Sequence, residues 1–305
     1  MRARLLLVLM PLFQLLVIGM SGPVMAQRDT SAADPPISQA KLNGYIKGYN
    51  TLLGTFGLRE TYDRYAGQRI ARKTVKDSFD INDGWIDGGL DSLKAAQAEA
   101  NGGLPELDAI GGKLIEVVDR VMGRLKSLKA YYQTKEYIGD GLARGKRDDP
   151  LVLDEFKQSL ALLEEFSRAL EVAISKRDLV RLEALRQSGD EVGYHGALAL
   201  FKSKQLLGLF ASPKDVRDAA RLKRGDAIVL ELSKALEETQ MNLDAAKASG
   251  KQSRGMRDSF YGDVVQALQR MIGSYREMKA GGNSTSYSSM LTNYNEAVER
   301  ANLAR

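Results

Sequence analysis

Five aspartates, Asp77, Asp80, Asp83, Asp87 and Asp91, crowd one short stretch of the chain, and carboxylates at that density suggest a calcium loop. An EF-hand loop needs oxygen ligands at fixed positions, with Gly at the sixth and Glu at the twelfth. Counting from Gly84 as the sixth puts Phe79 at the first position and Leu90 at the twelfth, so the pattern fails and the stretch reads as a solvated loop. His195 is the single histidine, in Gly193-Tyr194-His195-Gly196 beside Glu191, and there is no cysteine. A zinc site needs several such ligands. A Ser-His-Asp arrangement would have to use His195, yet the Gly-x-Ser-x-Gly elbow is absent. Gly102-Gly103 and Gly111-Gly112 are not followed by the Gly-Lys-Ser/Thr of a phosphate loop. The expectation is therefore no catalytic, cofactor-binding or metal-ligating residue, with His195 structural or at the surface. Asn283-Ser284-Thr285 fits the glycosylation acceptor pattern, which is short and common by chance and which a bacterial host would normally ignore.

Tyrosine offers the other chemistry. Tyr45 and Tyr49 lie four apart, Tyr261 and Val265 likewise, and Tyr131, Tyr132 and Tyr137 cluster near the end of a long helical pattern. This spacing is that of helix seams, where Tyr packs its ring and turns its hydroxyl outward. The sharper alternative is an aromatic groove for a glycan or peptide.

The elements that must hold these residues are helical. Leu114, Val118, Val121, Leu125, Leu128 and Tyr132 repeat at 4-3-4-3-4, predicting a helix over about 105–145. Asp149-Pro150 suggests the cap and first turn of a second, carrying Phe156, Leu160, Leu163, Ser167, Leu170 and Ile174 and continuing through Leu182 and Leu185. Ser212-Pro213 with Asp215 suggests the start of a third, carrying Ile228, Leu232 and Leu236. Tyr261, Val264, Leu268, Met271 and Tyr275 mark a fourth, broken at 280–286 before a closing helix to about Asn302. At the front, Leu42, Tyr45, Ile46, Tyr49, Leu52, Leu53 and Phe56 predict a helix running on to about Lys76. Segment 77–104, around Trp85, reads as a short helix between loops. Alternating strand patterns are scarce. The fold class expected is all-α: an elongated bundle of five to seven long amphipathic helices.

Residues 1–26 read as a signal peptide. Arg2 and Arg4 precede an apolar run over 5–20, and Val24 and Ala26 stand at the −3 and −1 positions of a cut before Gln27. The run is shorter than the roughly 20 residues a bilayer core needs. Residues 27–36 read as a flexible lead-in, and 37–305 as the helical domain. The formal charge of +5 becomes +3 once Arg2 and Arg4 leave, with both signs interleaved, so no basic stripe addresses a nucleic acid. Without cysteine there is neither a disulfide framework nor a lipid-attachment site.

Three pieces, Asn43-Gly44-Tyr45-Ile46-Lys47-Gly48-Tyr49-Asn50, Tyr131 to Asp140, and Asn293-Tyr294-Asn295, together resemble the YiiG-like family of bacterial envelope proteins, a domain of unknown function. The resemblance implies a helical envelope protein, often a lipoprotein, with no established activity; this chain lacks the cysteine of the lipoprotein members. The expected role is an exported, periplasmic or secreted, non-enzymatic protein binding an envelope protein, peptide or glycan, without cofactor, nucleic acid or a stable membrane span after signal removal. The alternatives are a carboxylate-dependent hydrolase or lyase acting on envelope material, and a carrier of an apolar ligand between helices.

Overall fold

A computed structural model describes residues 37–100, 103–210, 212–249, 256–281 and 284–304. The proposed signal peptide, the lead-in and Asn283 lie outside them. Among the described residues the fold is all-α. The helices are α1 (Gln39–Leu53), α2 (Leu58–Gly67), α3 (Ile86–Ala98), α4 (Pro105–Gln133), α5 (Glu136–Gly139), α6 (Ala143–Gln187), α7 (Glu191–Gly208), α8 (Ala219–Ala248), α9 (Met256–Gly281) and α10 (Ser284–Leu303). Short 3₁₀ turns occur at Ile70–Arg72 and Pro213–Arg217. None of the described helices is long and apolar enough to cross a membrane.

The helices exceed the expected five to seven because backbone geometry breaks runs that periodicity joins. The front helix does not reach Lys76. Gly54 and Gly57 separate α1 from α2, and Phe56 between them adopts a left-handed φ of 64°. The pattern over 105–145 is likewise three helices: α4 ends at Gln133, and α5 and the start of α6 follow. Asp149-Pro150 is not a helix start, since α6 runs through Pro150. Its entry is held by Asp140, which accepts from the Leu142 N–H at 2.9 Å and the Arg144 N–H at 3.1 Å. The Leu142 N–H also donates to the Tyr137 carbonyl at 2.9 Å, and the Arg144 N–H, in the first turn, finds in Asp140 the acceptor a helix start lacks, about two turns before Asp149-Pro150. Ser212 and Asp215 do pair, the Ser212 N–H donating to Asp215 Oδ2 at 2.8 Å. They open only a 3₁₀ turn, however, and α8 takes its own cap from Asp218, which accepts from Ala220 and Arg221.

Two compact units divide the chain, residues 37–175 and 176–304 among those described. In the first, α1 packs on α3 and α3 on α4. The α4 stripe from Leu114 to Tyr132 is buried as its spacing requires. Phe156, Leu163, Phe166 and Leu170 of α6 complete the core. Tyr45 meets Phe166 edge-on at 5.5 Å, and the Tyr49 hydroxyl donates to Ser167 Oγ at 2.8 Å. Close approach of α1 and α3 depends on glycine: a Cβ on Gly48 would stand 2.6 Å from Leu93, and one on Gly44 2.9 Å from Ala96. In the second unit α7 packs on α8, α8 on α9, and α9 on α10. Leu206, Phe210, Leu232, Leu268, Met271, Met290 and Ala297 form its centre. Helix α7 has no large-apolar stripe because its buried positions include Gly193, Gly196, Ala199 and Ser203, small residues that admit a neighbour such as Tyr261.

Candidate functional site

The most ligand-ready surface lies where α1, α2 and α3 meet in the first unit. Asn82 accepts from the Gly84 N–H at 2.8 Å, making an Asx turn. Gly84 is left-handed at φ 62°, and a Cβ there would strike the Phe56 carbonyl, so the turn accepts glycine alone. The Trp85 N–H then donates to the Phe56 carbonyl at 3.0 Å. The result is a tryptophan with a fixed backbone and a side chain that is 65% exposed. Its indole leans on the Phe56 ring at 5.4 Å, with the Arg64 guanidinium 5.6 Å from the same ring. Glu60 braces the corner, accepting from the Phe56 N–H at 3.0 Å and from Arg64 at 2.8 Å; these bonds hold its carboxyl below the ordinary range.

The crowded aspartates do not converge. Asp77 accepts from Thr74 within its own turn, Asp83 pairs with Lys129 at 3.1 Å, and Asp87 with Lys126 at 3.0 Å. Among the described residues no three His, Asp or Glu side chains are grouped as metal ligands.

Tyr131, Tyr132 and Tyr137 do come together, with a partner the sequence did not reveal. Phe79 stacks on Tyr132 at 4.4 Å and meets Tyr137 at 4.9 Å. Lys73 lies over Phe79 and Arg144 over Tyr131. Tyr131 and Tyr132 are buried, so most of this cluster packs rather than presents a groove. Burial and a hydrogen bond to Asp140 push the Tyr131 hydroxyl up to about 12. Tyr45 belongs to another buried polar group: its hydroxyl donates to Asp108, and Asp108 also pairs with the buried Lys41 at 2.8 Å. Burial raises the Tyr45 pKa most, and the Asp108 carboxylate adds to it.

His195 sits on the first turns of α7, with Nε2 at 3.5 Å from Glu191 Oε2 and Nδ1 buried without a hydrogen-bond partner. An open groove of about 540 Å³ runs between α8 and α9, lined by Val229, Leu230 and Tyr275 together with Asp226, Arg276 and Lys279. Its charged edge and open mouth differ from the closed apolar chamber that carriage of an apolar ligand requires.

A family model described as a protein of unknown function, DUF3829, matches residues 38–271. The chain belongs to the DUF3829 family. No curated protein and no solved structure matches it. Within this DUF3829 chain the matched span takes in α1 through α8, the Trp85 corner and the aromatic cluster, and it stops within α9. Asn43 to Asn50 and Tyr131 to Asp140 fall inside the span, whereas Asn293-Tyr294-Asn295 falls outside. The first of these pieces is a packing motif, its glycines admitting α3 and its tyrosines filling the core.

Sequence reasoning missed the Trp85 corner as a site. The usable signal was Asn82-Asp83-Gly84, a turn sequence immediately before the single tryptophan.

Proposed function

We propose that this DUF3829 member is an exported, non-enzymatic envelope protein of the YiiG-like kind, and that it binds its partner on the Trp85 corner. The observation that carries the reading is a large aromatic held exposed by a glycine-specific turn, where an unconstrained indole would bury itself. A rigid aromatic loses little conformational entropy on binding, and its face suits a sugar ring or an apolar peptide side chain. Asp83–Lys129 and Asp87–Lys126 supply polar groups beside it. The titratable groups with the largest shifts are buried tyrosines pushed toward neutrality, which suits packing better than proton transfer near neutral pH.

Trp85 is the single tryptophan, so its emission reports on this corner alone. Soluble glycan strands from a cell-wall digest and a peptide digest of envelope proteins are the two probes to titrate. One of them should shift the emission, and Trp85→Ala should weaken its calorimetrically measured affinity about tenfold or more, roughly 1.4 kcal/mol. Binding seen by calorimetry with unchanged emission, or retained in the variant, would place the partner elsewhere.

A further inference from the structure

Around the exposed Trp85 indole, charge is matched pair by pair. Asp83, two residues before it, pairs with Lys129 of α4 at 3.1 Å. Asp87, two residues after it, pairs with Lys126 of α4 at 3.0 Å. On α2, Glu60 pairs with Arg64 at 2.8 Å and also accepts from the Phe56 N–H. Each carboxylate has its own cation, so these pairs give the corner no net charge. Asp87 and Lys126 are about half exposed, and Asp83 and Lys129 remain partly open to solvent. Lys126 and Lys129 are three apart on α4, neighbours on one helix face with Cβ atoms about 5–6 Å apart.

This pattern discriminates among ligands. A charged group gains little beside matched pairs, because attraction to one member is offset by repulsion from the other. An alcohol hydroxyl meets no such conflict. It donates one hydrogen bond and accepts two, so it can give to a carboxylate and take from the ammonium of the same pair. Lysine has three donor hydrogens and an ionised carboxyl about four acceptor sites, so each pair has capacity left after its own bond. Adjacent pairs therefore suit adjacent hydroxyls. An apolar peptide side chain would use the indole and leave both pairs idle. The indole face is broad and electron-rich, matched to the C–H face of a pyranose ring. Its backbone is fixed by the Gly84 turn, and Phe56 supports the ring at 5.4 Å.

We propose that the corner takes an uncharged glycan, with one pyranose ring stacked on Trp85 and neighbouring hydroxyls bonded to the Asp83–Lys129 and Asp87–Lys126 pairs. This rests on the reading of Trp85 as the binding corner and adds the ligand class. A ligand without charge is held by stacking and hydrogen bonds, so salt leaves its affinity nearly unchanged.

Calorimetric titration of the full chain tests it, with the neutral tetramers of N-acetylglucosamine, glucose and mannose and the acidic tetramer of galacturonate as probes. At least one neutral tetramer should bind more tightly than the acidic one. Its affinity should change less than about twofold between about 50 and about 500 mM salt. Trp85→Ala should weaken it about tenfold or more, and Trp85→Phe, which keeps a ring at the turn, should weaken it less. Lys126→Met should weaken it about threefold or more, a loss that contact with the indole alone would not produce. Binding by none of the neutral tetramers, preference for the acidic one, or full affinity in Lys126→Met overturns the proposal. The two levels separate cleanly. If a peptide digest shifts Trp85 emission while no neutral tetramer binds, the glycan class fails and the corner stands. If a neutral tetramer binds with full affinity to Trp85→Ala, the corner itself fails.

Discussion

A buried carboxyl without a cation and a histidine with an unpartnered buried nitrogen invite a catalytic reading, yet each has a plainer physical consequence. The raised pKa of Asp149 means the folded chain holds that proton more tightly than the unfolded chain does. Its contribution to stability is then present in full below the ordinary carboxylate range and is lost as pH rises through the raised value. Asp140, Asp83 and Asp226 are shifted the other way by their partners, so their contributions fade as pH falls. Subtracting the Asp149→Asn unfolding free energy from that of the wild type isolates the first effect. The variant should gain relative stability as pH rises from about 4 to about 7, measured by urea unfolding. A difference that is constant over that range refutes the expectation. Among the described residues the charged group paired with His195 is Glu191, one turn away on α7. His195→Gln should leave binding reported by Trp85 within about threefold, less than ~1 kcal/mol. Loss by orders of magnitude in a folded variant would reveal a histidine-centred site.

Glycine plays two different parts on these helices, one at a helix contact and one facing solvent. On α1, Gly48 faces Leu93 at 2.6 Å and the Gly89 carbonyl at 3.0 Å from where a Cβ would be, so a methyl has nowhere to go. On α4, Gly123 faces solvent with nothing within 4 Å. The same substitution should therefore have opposite signs. Gly48→Ala should lose about 1–3 kcal/mol by forcing α1 from α3, while Gly123→Ala should gain about 0.5–1 kcal/mol from lower unfolded-state entropy and better helix propensity. Thermal unfolding of both variants checks this. Equal signs would mean that the α1–α3 contact is looser than its geometry shows. The long α4 stripe was legible because large apolar residues recur at 4-3 spacing. Helix α7 was not, because Gly196 and Ser203 are buried through a neighbour's bulk rather than their own.

For the molecule as a whole, membership of DUF3829 fixes kinship without activity, and export is the proposal that sets its working environment. The apolar run before Ser21, followed by Val24 and Ala26, gives that proposal a sharp outcome: mass spectrometry of the protein recovered from cells should find Gln27 first. Recovery of an intact Met1 or Arg2 terminus in the membrane fraction would overturn it. The even interleaving of charge gives no large field of one sign, so the proposed binding rests on the Trp85 corner rather than on long-range steering.

Residue order alone determined the helical class, the α4 and α9 seams and the burial of Tyr45, Tyr49 and Tyr275, since these follow from periods repeated within one segment. It also excluded a calcium loop of EF-hand form in the aspartate stretch, because ligand positions are counted along the chain. The tertiary structure decided everything that depends on segments distant in sequence. It set the left-handed Phe56 against Gly84, leaving Trp85 outside, and brought Phe79 onto Tyr132. It also placed Asp149 buried within the first turns of α6 rather than at its cap. Local pattern carries the cost of burying a residue on its own helix; which groups then share that burial is settled only when other helices arrive.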